Sequence, residues 1–472
     1  VRKKGAFGVK IILLSGGSGK RLWPMSNEAR SKQFLKVLPD KETGQPVSML
    51  QRVWKQLEDV GMQNNAYVCA SKAQWELVQS QLGEISFIQE PARRDTFPAI
   101  SLAALYLLDR EGISPDEVVA VVPVDHFVEN HYFQQIVRLE QVLQESSADM
   151  VLMGVVPEEP TSKFGYIVPG ESTDGIAWVE QFVEKPSSDI AQKLMDRGAL
   201  WNCGVFAFRL SFLRHWLASR GYHATYQGLR GQFLELPKRS FDYEVVEKTG
   251  KIAVLPYRGV WKDLGTWASL SEEMSQPLLG SGVLKDCQET HVLNELGIPV
   301  VALGVQGMMI AATPDGILVA DKEASAHLKD VVEPFQGRPM YEERRWGSYR
   351  VLDYQKLEEG EVLTKWIEIS PGCNLSYQKH FHRTETWTIL EGHGEVALDN
   401  RIFPIGAGDV VRVYAEQWHA IRALDRLKLV EVQRGSELIE EDILRRYMEW
   451  REIVEACSLG RESSIAVSTS VL

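Results

Sequence analysis

Val9-Lys10-Ile11-Ile12-Leu13-Leu14-Ser15-Gly16-Gly17-Ser18-Gly19-Lys20-Arg21-Leu22-Trp23-Pro24 decides how this chain is read. The apolar run predicts a buried strand, and a glycine-rich turn leaving such a strand is where backbone N–H groups converge on a phosphate. Lys20 and Arg21 add positive charge beside it. Two commoner phosphate loops do not fit. A Walker A loop needs Gly at 14 and Ser or Thr after the lysine, where this chain has Leu14 and Arg21, and the dinucleotide fingerprint needs Gly at 22, where Leu22 stands.

Around this stretch, residues 1 to about 270 alternate β-rich runs with helical patterns, which predicts an α/β domain with a mostly parallel sheet. The expected strands are Val9–Leu14, Ala66–Ala70, Val118–Val122 and Met150–Val155. Ala99–Leu108 reads as an apolar helix with Thr96 as its N-cap and Pro98 in its first turn. From Gly280 to Val332 short apolar runs (Val300–Leu303, Met308–Ala311, Ile317–Val319) alternate with turns. Tyr349–Glu431 then reads as a small barrel or jelly roll. A helix is expected over Glu437–Ala456, with Ile439, Ile443, Tyr447, Trp450 and Val454 as its apolar stripe. The predicted organisation is thus 1–275, a β-rich connector 280–335, a barrel 340–456 and a disordered tail 457–472.

Composition narrows the functions available. Fifty-two basic against 64 acidic side chains leave a net charge of −12, which excludes a general nucleic-acid binder or membrane-surface binder. Bound anions must therefore meet local positive sites. Cysteines 69, 203, 287, 373 and 457 form neither a zinc pattern nor a disulfide framework, and the run at Val9–Leu14 is too short for a signal segment or membrane span. A cytoplasmic location is the expectation.

Two isolated carboxylates stand out: Asp125 in Pro123-Val124-Asp125-His126, at the carboxyl end of a predicted strand, and Asp263 in Trp261-Lys262-Asp263-Leu264-Gly265-Thr266-Trp267. Together with Gly16-Gly17-Ser18-Gly19-Lys20-Arg21-Leu22-Trp23-Pro24-Met25-Ser26 and Ser31-Lys32-Gln33-Phe34-Leu35 they resemble the sugar-1-phosphate nucleotidyltransferases, specifically the mannose-1-phosphate guanylyltransferases. The family usually carries Thr where Lys20 stands and Pro where Ser31 stands. The resemblance implies transfer of GMP from GTP to mannose 1-phosphate, giving GDP-mannose and pyrophosphate. It implies Arg21, Lys32, Asp125 and Asp263 as catalytic, with the two aspartates holding Mg²⁺. Leu14, Gly16, Gly17, Gly19, Lys20, Arg94 and Thr96 would bind the nucleotide. Phe182-Val183-Glu184-Lys185-Pro186, Leu200-Trp201-Asn202 and Phe164-Gly165-Tyr166 continue the likeness, so Gly165, Glu184, Lys185 and Asn202 inherit the sugar phosphate. In Glu90-Pro91-Ala92-Arg93-Arg94-Asp95-Thr96 the family's usual Asn is Asp95. A carboxylate there is unfavourable beside a triphosphate unless it turns away or accepts from guanine N1–H and N2–H₂.

A second cluster lies in Gln378-Lys379-His380-Phe381-His382-Arg383-Thr384-Glu385-Thr386-Trp387 and Gln417-Trp418-His419. Strand alternation puts Gln378, His380 and His382 on one face, with Glu385 folding back across a turn. Two His, one Glu and one Gln suit a divalent transition metal such as Zn²⁺. This stretch resembles a cupin, more narrowly the type II phosphomannose isomerase domain fused to guanylyltransferases. That likeness implies Gln378, His380, Glu385 and His419 as ligands, His382 and Arg383 beside them for the proton or the phosphate, and mannose 6-phosphate and fructose 6-phosphate as substrates. Thr386 stands where the family has His, and Tyr414 and Glu416 where it has Pro and Gly. Other sugar 1-phosphates or NTPs, a cupin that only binds sugar or supports a homo-oligomer, and a non-catalytic nucleotide-sugar sensor stay open. Retention of Arg21, Asp125, Lys185 and Asp263 speaks against the sensor.

Overall fold

A computed structural model describes residues 8–17, 20–27, 30–173, 176–335, 337–439 and 442–458. It divides into two compact units. The first runs to Ala312 and takes in Ile317–Phe335; the second comprises Thr313–Gly316 and the residues after Phe335.

The first unit is built on a nine-stranded sheet in the order Phe87–Glu90, Ala66–Ser71, Lys10–Leu14, Val118–Pro123, Leu200–Arg209, Met150–Val155, Ile252–Tyr257, Ile176–Val183, Tyr166–Thr173. The strands from Phe87–Glu90 to Val118–Pro123 pair in parallel, as do Met150–Val155 and Ile252–Tyr257, while Leu200–Arg209 and Ile176–Val183 run against them. Both faces are covered. Ile11, Leu13, Val68, Ala120 and Val122 enter one core, and Ile12, Cys69, Val119 and Val121 the other. A strand buried on two sides needs apolar residues at every position, which is why these strands read as unbroken runs.

The helix is Thr96–Asp109, one turn longer than expected at its start, and its N-cap is Asp95, whose carboxylate accepts from Thr96 N at 2.7 Å. Thr96 lies inside the helix and accepts from Phe241 N instead, at 2.8 Å. The connector is a short parallel coil. Leu278–Leu279, His291–Asn294 and Met308–Thr313 stack in parallel, and Gly282–Lys285 stacks on Val300–Leu303. Its inward residues Leu293, Met309, Ala311 and Leu318 join Leu22, Met25, Leu35, Trp267 and Leu270 in one core, so this segment is part of the first unit's interior.

The second unit is a barrel of a six-stranded and a five-stranded sheet closed around Tyr349, Leu363, Trp387, Ile389, Val396, Ile421 and Leu429. The final helix differs from expectation. Leu444–Tyr447 is a strand paired with Tyr377–Lys379, and the helix spans only 450–458. Trp450, Ile453 and Cys457 are its buried side, whereas Ile439 and Val454 are exposed. The apolar spacing before Trp450 arises from strand and turn residues, which a helical period also catches. The predicted tail from 459 onward lies outside the described residues. No helix among the described residues is long and apolar enough to cross a membrane.

Candidate active sites

Because the sheet's parallel half ends its strands on one edge, the strand ends Leu14, Ser71, Glu90 and Pro123 come out along it. The chain departs in opposite directions on either side of Lys10–Leu14, and such a reversal leaves a crevice at the strands' carboxyl ends. Ser15–Gly17 leaves Leu14 into it. Gly17 has φ +118°, a backbone region open to glycine, and its ideal Cβ would meet nothing within 4 Å, so the loop is open on that side. Ser18 and Gly19 and the Lys20 side chain lie outside what is described; Arg21 is exposed.

Ser31-Lys32-Gln33 explains its place in the motif. Ser31 Oγ donates to Gly17 O at 2.8 Å, and Gln33 Nε2 donates to Ser15 O and, at 3.2 Å, to Ser15 Oγ. Gln74 donates in turn to Ser31 Oγ at 2.8 Å. These buried bonds brace the glycine loop from beneath. Between the braces Lys32 Nζ lies 2.9 Å from Asp125 Oδ2 and 3.3 Å from Asp263 Oδ1. The aspartates meet because Trp261–Asp263 pairs antiparallel with His126–Val128, setting Asp263 opposite His126. Burial alone would lower the Lys32 pKa, but the facing carboxylates outweigh it and hold it at about 12. Burial likewise works to raise Asp125, and the Lys32 and His126 charges overcome it, keeping the carboxyl well below the usual range. Two half-buried carboxylates aimed at one point offer the hard oxygen donors a small divalent cation takes.

Gly265 allows this arrangement, since an ideal Cβ there would stand 3.0 and 3.1 Å from the Asp263 oxygens. Gly265→Ala should push that carboxylate aside, and the divalent-cation concentration giving half-maximal activity is expected to rise about tenfold. An unchanged cation dependence would show that Asp263 tolerates the shift.

A polar cluster follows further along the edge. Glu184 is almost fully buried; its Oε1 accepts from Lys185 Nζ at 2.7 Å, while its Oε2 has no partner among the described residues. Gly165 leaves the space for it, because an added Cβ would collide with that oxygen. Asn202 donates to Asp242 Oδ1 at 2.6 Å and accepts from Gly204 N at 3.0 Å, and its own N–H is held by Gly165 O at 2.8 Å. Lys185 has φ +46°, an uncommon conformation that turns its half-exposed ammonium back over Glu184. Phe164 contacts Trp201 and Trp261 with ring centroids 5.1 Å away in each case, and both indole N–H groups are buried without a partner among the described residues. Asp242 is the residue sequence reading missed. Burial, and then the Glu184 charge, push its pKa up to about 6. An aspartate in a helix's first turn carries no motif signal, and its position depends on Phe241 N and Phe97 N bonding across to Thr96 Oγ1 and Arg239 O. Arg94, expected at the nucleotide, donates through Nε and Nη2 to Leu236 O at 2.8 and 2.6 Å and braces the same segment.

In the barrel, His380, Glu385 and His419 bring their ligand atoms within 4.8 Å of one another, all buried. His380 Nδ1 lies 2.5 Å from Asp442 O and His419 Nδ1 2.9 Å from Gln417 O. Carbonyls only accept, so each ring carries its proton on Nδ1 and turns the Nε2 lone pair inward. Those lone pairs lie 3.2 and 3.6 Å from the Glu385 oxygens, and His419 Nε2 has no hydrogen-bond partner among the described residues. Acceptors facing acceptors in a buried space fit a cation between them. Burial lowers the pKa of His380 to about 3 and of His419 to about 4, favouring the neutral, ligating form. Gln378 Nε2 is 3.4 Å from His380 Nε2, and Arg383 reaches Glu385 Oε1 at 3.1 Å and His380 Nε2 at 3.2 Å.

His382 does not share this face. The strand ends at Lys379, the Asp442 carboxylate accepts from Phe381 N at 2.9 Å and His382 N at 3.1 Å, and the His382 side chain is exposed. Thr386 alternates to the outer face of Arg383–Glu391, so the family's missing His concerns the barrel's exterior. Glu416 stands at φ +62°, the conformation the family's Gly takes freely.

An edge of this kind serves nucleotidyl transfer and a barrel of this kind serves metal-bound small molecules, so the class is a nucleotidyltransferase joined in one chain to a cupin. The nucleotidyl transferase family matches residues 10–278, and the mannose-6-phosphate isomerase C-terminal family matches residues 338–448. The alginate biosynthesis protein AlgA of Pseudomonas putida is 31% identical, covering 97% of this chain and 99% of that protein. Mannose-1-phosphate guanylyltransferase RfbM of Salmonella typhimurium is 30% identical over 92% of this chain and 96% of its own length. The mannose-1-phosphate guanylyltransferase of Escherichia coli is 31% identical over 92% and 97%. A solved structure from Thermus thermophilus, described as a mannose-1-phosphate geranyltransferase, aligns with TM-score 0.59 and 28% identity over 70% of this chain and all of that one. The chain belongs to the mannose-1-phosphate guanylyltransferase family that carries a mannose-6-phosphate-isomerase-type C-terminal domain.

Proposed function

We propose that the first unit transfers GMP from GTP to mannose 1-phosphate, releasing pyrophosphate and forming GDP-mannose. The observation that carries this is the meeting of Lys32, Asp125 and Asp263 beside the glycine loop. Two polyanions must approach, and their repulsion has to be cancelled where the oxygen of one attacks the phosphorus of the other. Loop N–H groups from Ser15 to Gly17, with Arg21 and Lys20, bind the triphosphate. Asp125 and Asp263 would hold Mg²⁺, which when bound would supply neutralisation of charge on the phosphate oxygens. Lys32 balances the two carboxylates and keeps them apart. At the other end, Lys185 meets the sugar phosphate, while Glu184, Asn202, Asp242 and the Gly165 backbone take the sugar hydroxyls. The Phe164, Trp201 and Trp261 wall keeps water from that pocket. The test is pyrophosphate release from GTP, Mg²⁺ and mannose 1-phosphate, set against a panel of other NTPs and sugar phosphates. Release with another pair and none with this one would overturn the assignment.

Lys185→Ala should raise KM for mannose 1-phosphate at least about tenfold while leaving the GTP constant in place, because a point charge to the monophosphate is lost. Steady-state titration of each substrate checks it. Loss of GTP affinity alone would contradict the role.

A second activity is supported by the buried His380, Glu385 and His419 set. We infer that it holds one divalent transition metal and that the barrel interconverts mannose 6-phosphate and fructose 6-phosphate. Gln378 completes the ligands, and Arg383 orients Glu385 and faces the substrate's phosphate. A metal held by these residues would supply polarisation of the sugar's oxygens for proton transfer between C1 and C2. A mutase step separates the two products, so the activities are not consecutive.

A further inference from the structure

The stretch that carries the first motif rests on the connector at both ends. Leu22 and Met25 on one side and Leu35 on the other share a core with Leu293, Met309, Ala311 and Leu318 of the parallel coil. Between these feet Asn27 and Arg30 close on each other, Asn27 N donating to Arg30 O at 2.9 Å and Arg30 N to Asn27 Oδ1 at 2.8 Å. From there the Arg30 guanidinium reaches the connector and meets Glu295 at two points, Nη1 to Oε2 at 3.0 Å and Nη2 to Oε1 at 2.8 Å. The two side chains are only 10% and 28% exposed, so water screens this pair far less than a surface ion pair, and a two-point bond fixes direction as well as distance.

Each partner is anchored. Glu295 N donates to Ala312 O at 2.8 Å; the neighbouring Asn294 donates through Nδ2 to Ser281 O and Ile298 O, each at 2.7 Å, and accepts from Leu296 N at 2.9 Å. The carboxylate therefore stands on a hydrogen-bonded corner of the coil. Arg30 is followed at once by Ser31, which braces Gly17, and by Lys32, whose ammonium lies between Asp125 and Asp263. Ser31 is extended at φ −74° and ψ 163°, and Lys32 opens a short 3₁₀ turn, so little slack separates the backbone of Arg30 from that of Lys32.

We propose that Arg30 and Glu295 are positioning residues of the transferase site. Through them the connector sets where Lys32 stands between the two aspartates, although Glu295 lies outside the residues 10–278 that match the nucleotidyl transferase family. A lysine carries its charge on a flexible four-carbon stem, and once its backbone loosens the ammonium can follow one carboxylate and leave the other. Two phosphate groups meet beside this charge, and a displacement of about 1 Å there costs up to about a hundredfold in rate.

This inference rests on the transferase reading, and its test separates the two. Glu295→Gln, Arg30→Gln and the double variant are compared with the unaltered full chain in two measurements. In the first, amines are acetylated with limiting acetic anhydride in the absence of substrates, and modification of Lys32 is quantified by mass spectrometry against that of Lys10. Lys10 donates to Asn65 Oδ1 at 2.9 Å in the same unit and serves as the control. The ratio of Lys32 to Lys10 should rise about fivefold in each variant, because local opening frees the ammonium from its two partners. In the second, kcat for pyrophosphate release from GTP and mannose 1-phosphate should fall at least about tenfold, with the KM of either substrate changed by less than about threefold. The double variant should lose no more than the single ones, since all three remove one and the same interaction. Arg30→Lys keeps the charge but contacts Glu295 at a single point; it should show part of both effects and stands as the readout if the glutamine variants fail to fold. Unchanged Lys32 acetylation or unchanged kcat in a folded variant overturns the proposal, as do losses in kcat that multiply in the double variant. A chain whose Lys32 responds as described, yet which releases no pyrophosphate with mannose 1-phosphate, would instead refute the transferase reading and leave the pair as the device that places Lys32.

Discussion

Pyrophosphate release by Asp125→Asn and by Asp263→Asn is expected to fall about a thousandfold, the scale of losing a preorganised electrostatic group at a reacting phosphate. Asparagine keeps the shape of each side chain, so the fold should be retained in circular dichroism. What disappears is one of the two negative charges that Lys32 now balances from 2.9 and 3.3 Å. With one carboxylate neutral, the ammonium is left in excess over the remaining one, and a hard divalent cation loses a ligand and meets stronger repulsion. The isomerase rate of the same variants should be unchanged, which controls for general damage. Near-normal turnover of either variant at limiting Mg²⁺ would remove the two-aspartate assignment.

Removing His380 should have the second largest effect, on the other unit. In His380→Ala one neutral nitrogen leaves a small ligand set, and metal content and conversion of fructose 6-phosphate to mannose 6-phosphate should fall together by at least about a hundredfold. Chelation of the unaltered chain should reproduce the loss, and re-addition of metal should restore it, while GDP-mannose synthesis in His380→Ala persists. Elemental analysis of the purified protein with the coupled isomerase assay decides it. Metal bound without turnover would make the barrel a sugar-binding domain, and no metal would reject the site.

Much of the first site was legible before any fold was known. Asp125 could be placed because an apolar run ending in Pro-Val-Asp sets it at a strand terminus, a local inference. The glycine loop was legible for the same reason. Asp263 was recognisable only by its motif, and nothing local says that Trp261–Asp263 pairs with His126–Val128. Asp242 has no motif of its own; it acquires its meaning from strands and turns that are distant in the chain. In the barrel, alternation correctly joined Gln378 to His380 and failed at His382, because the chain turns where Asp442 captures two consecutive N–H groups.

The sequence by itself therefore determined the architecture of both units, the phosphate loop, and the residue types available for metal and phosphate. It did so because apolar periodicity and glycine placement act over a few residues and leave a direct trace in the order of side chains. Tertiary structure alone decided that Lys32 lies between two aspartates, that the connector winds as a parallel coil onto Trp267, and where the last helix begins. Those outcomes depend on hydrogen bonds and packing between segments far apart in sequence. Many alternative pairings satisfy the local pattern equally well, and only the one that buries both faces of the sheet and satisfies its polar groups survives folding.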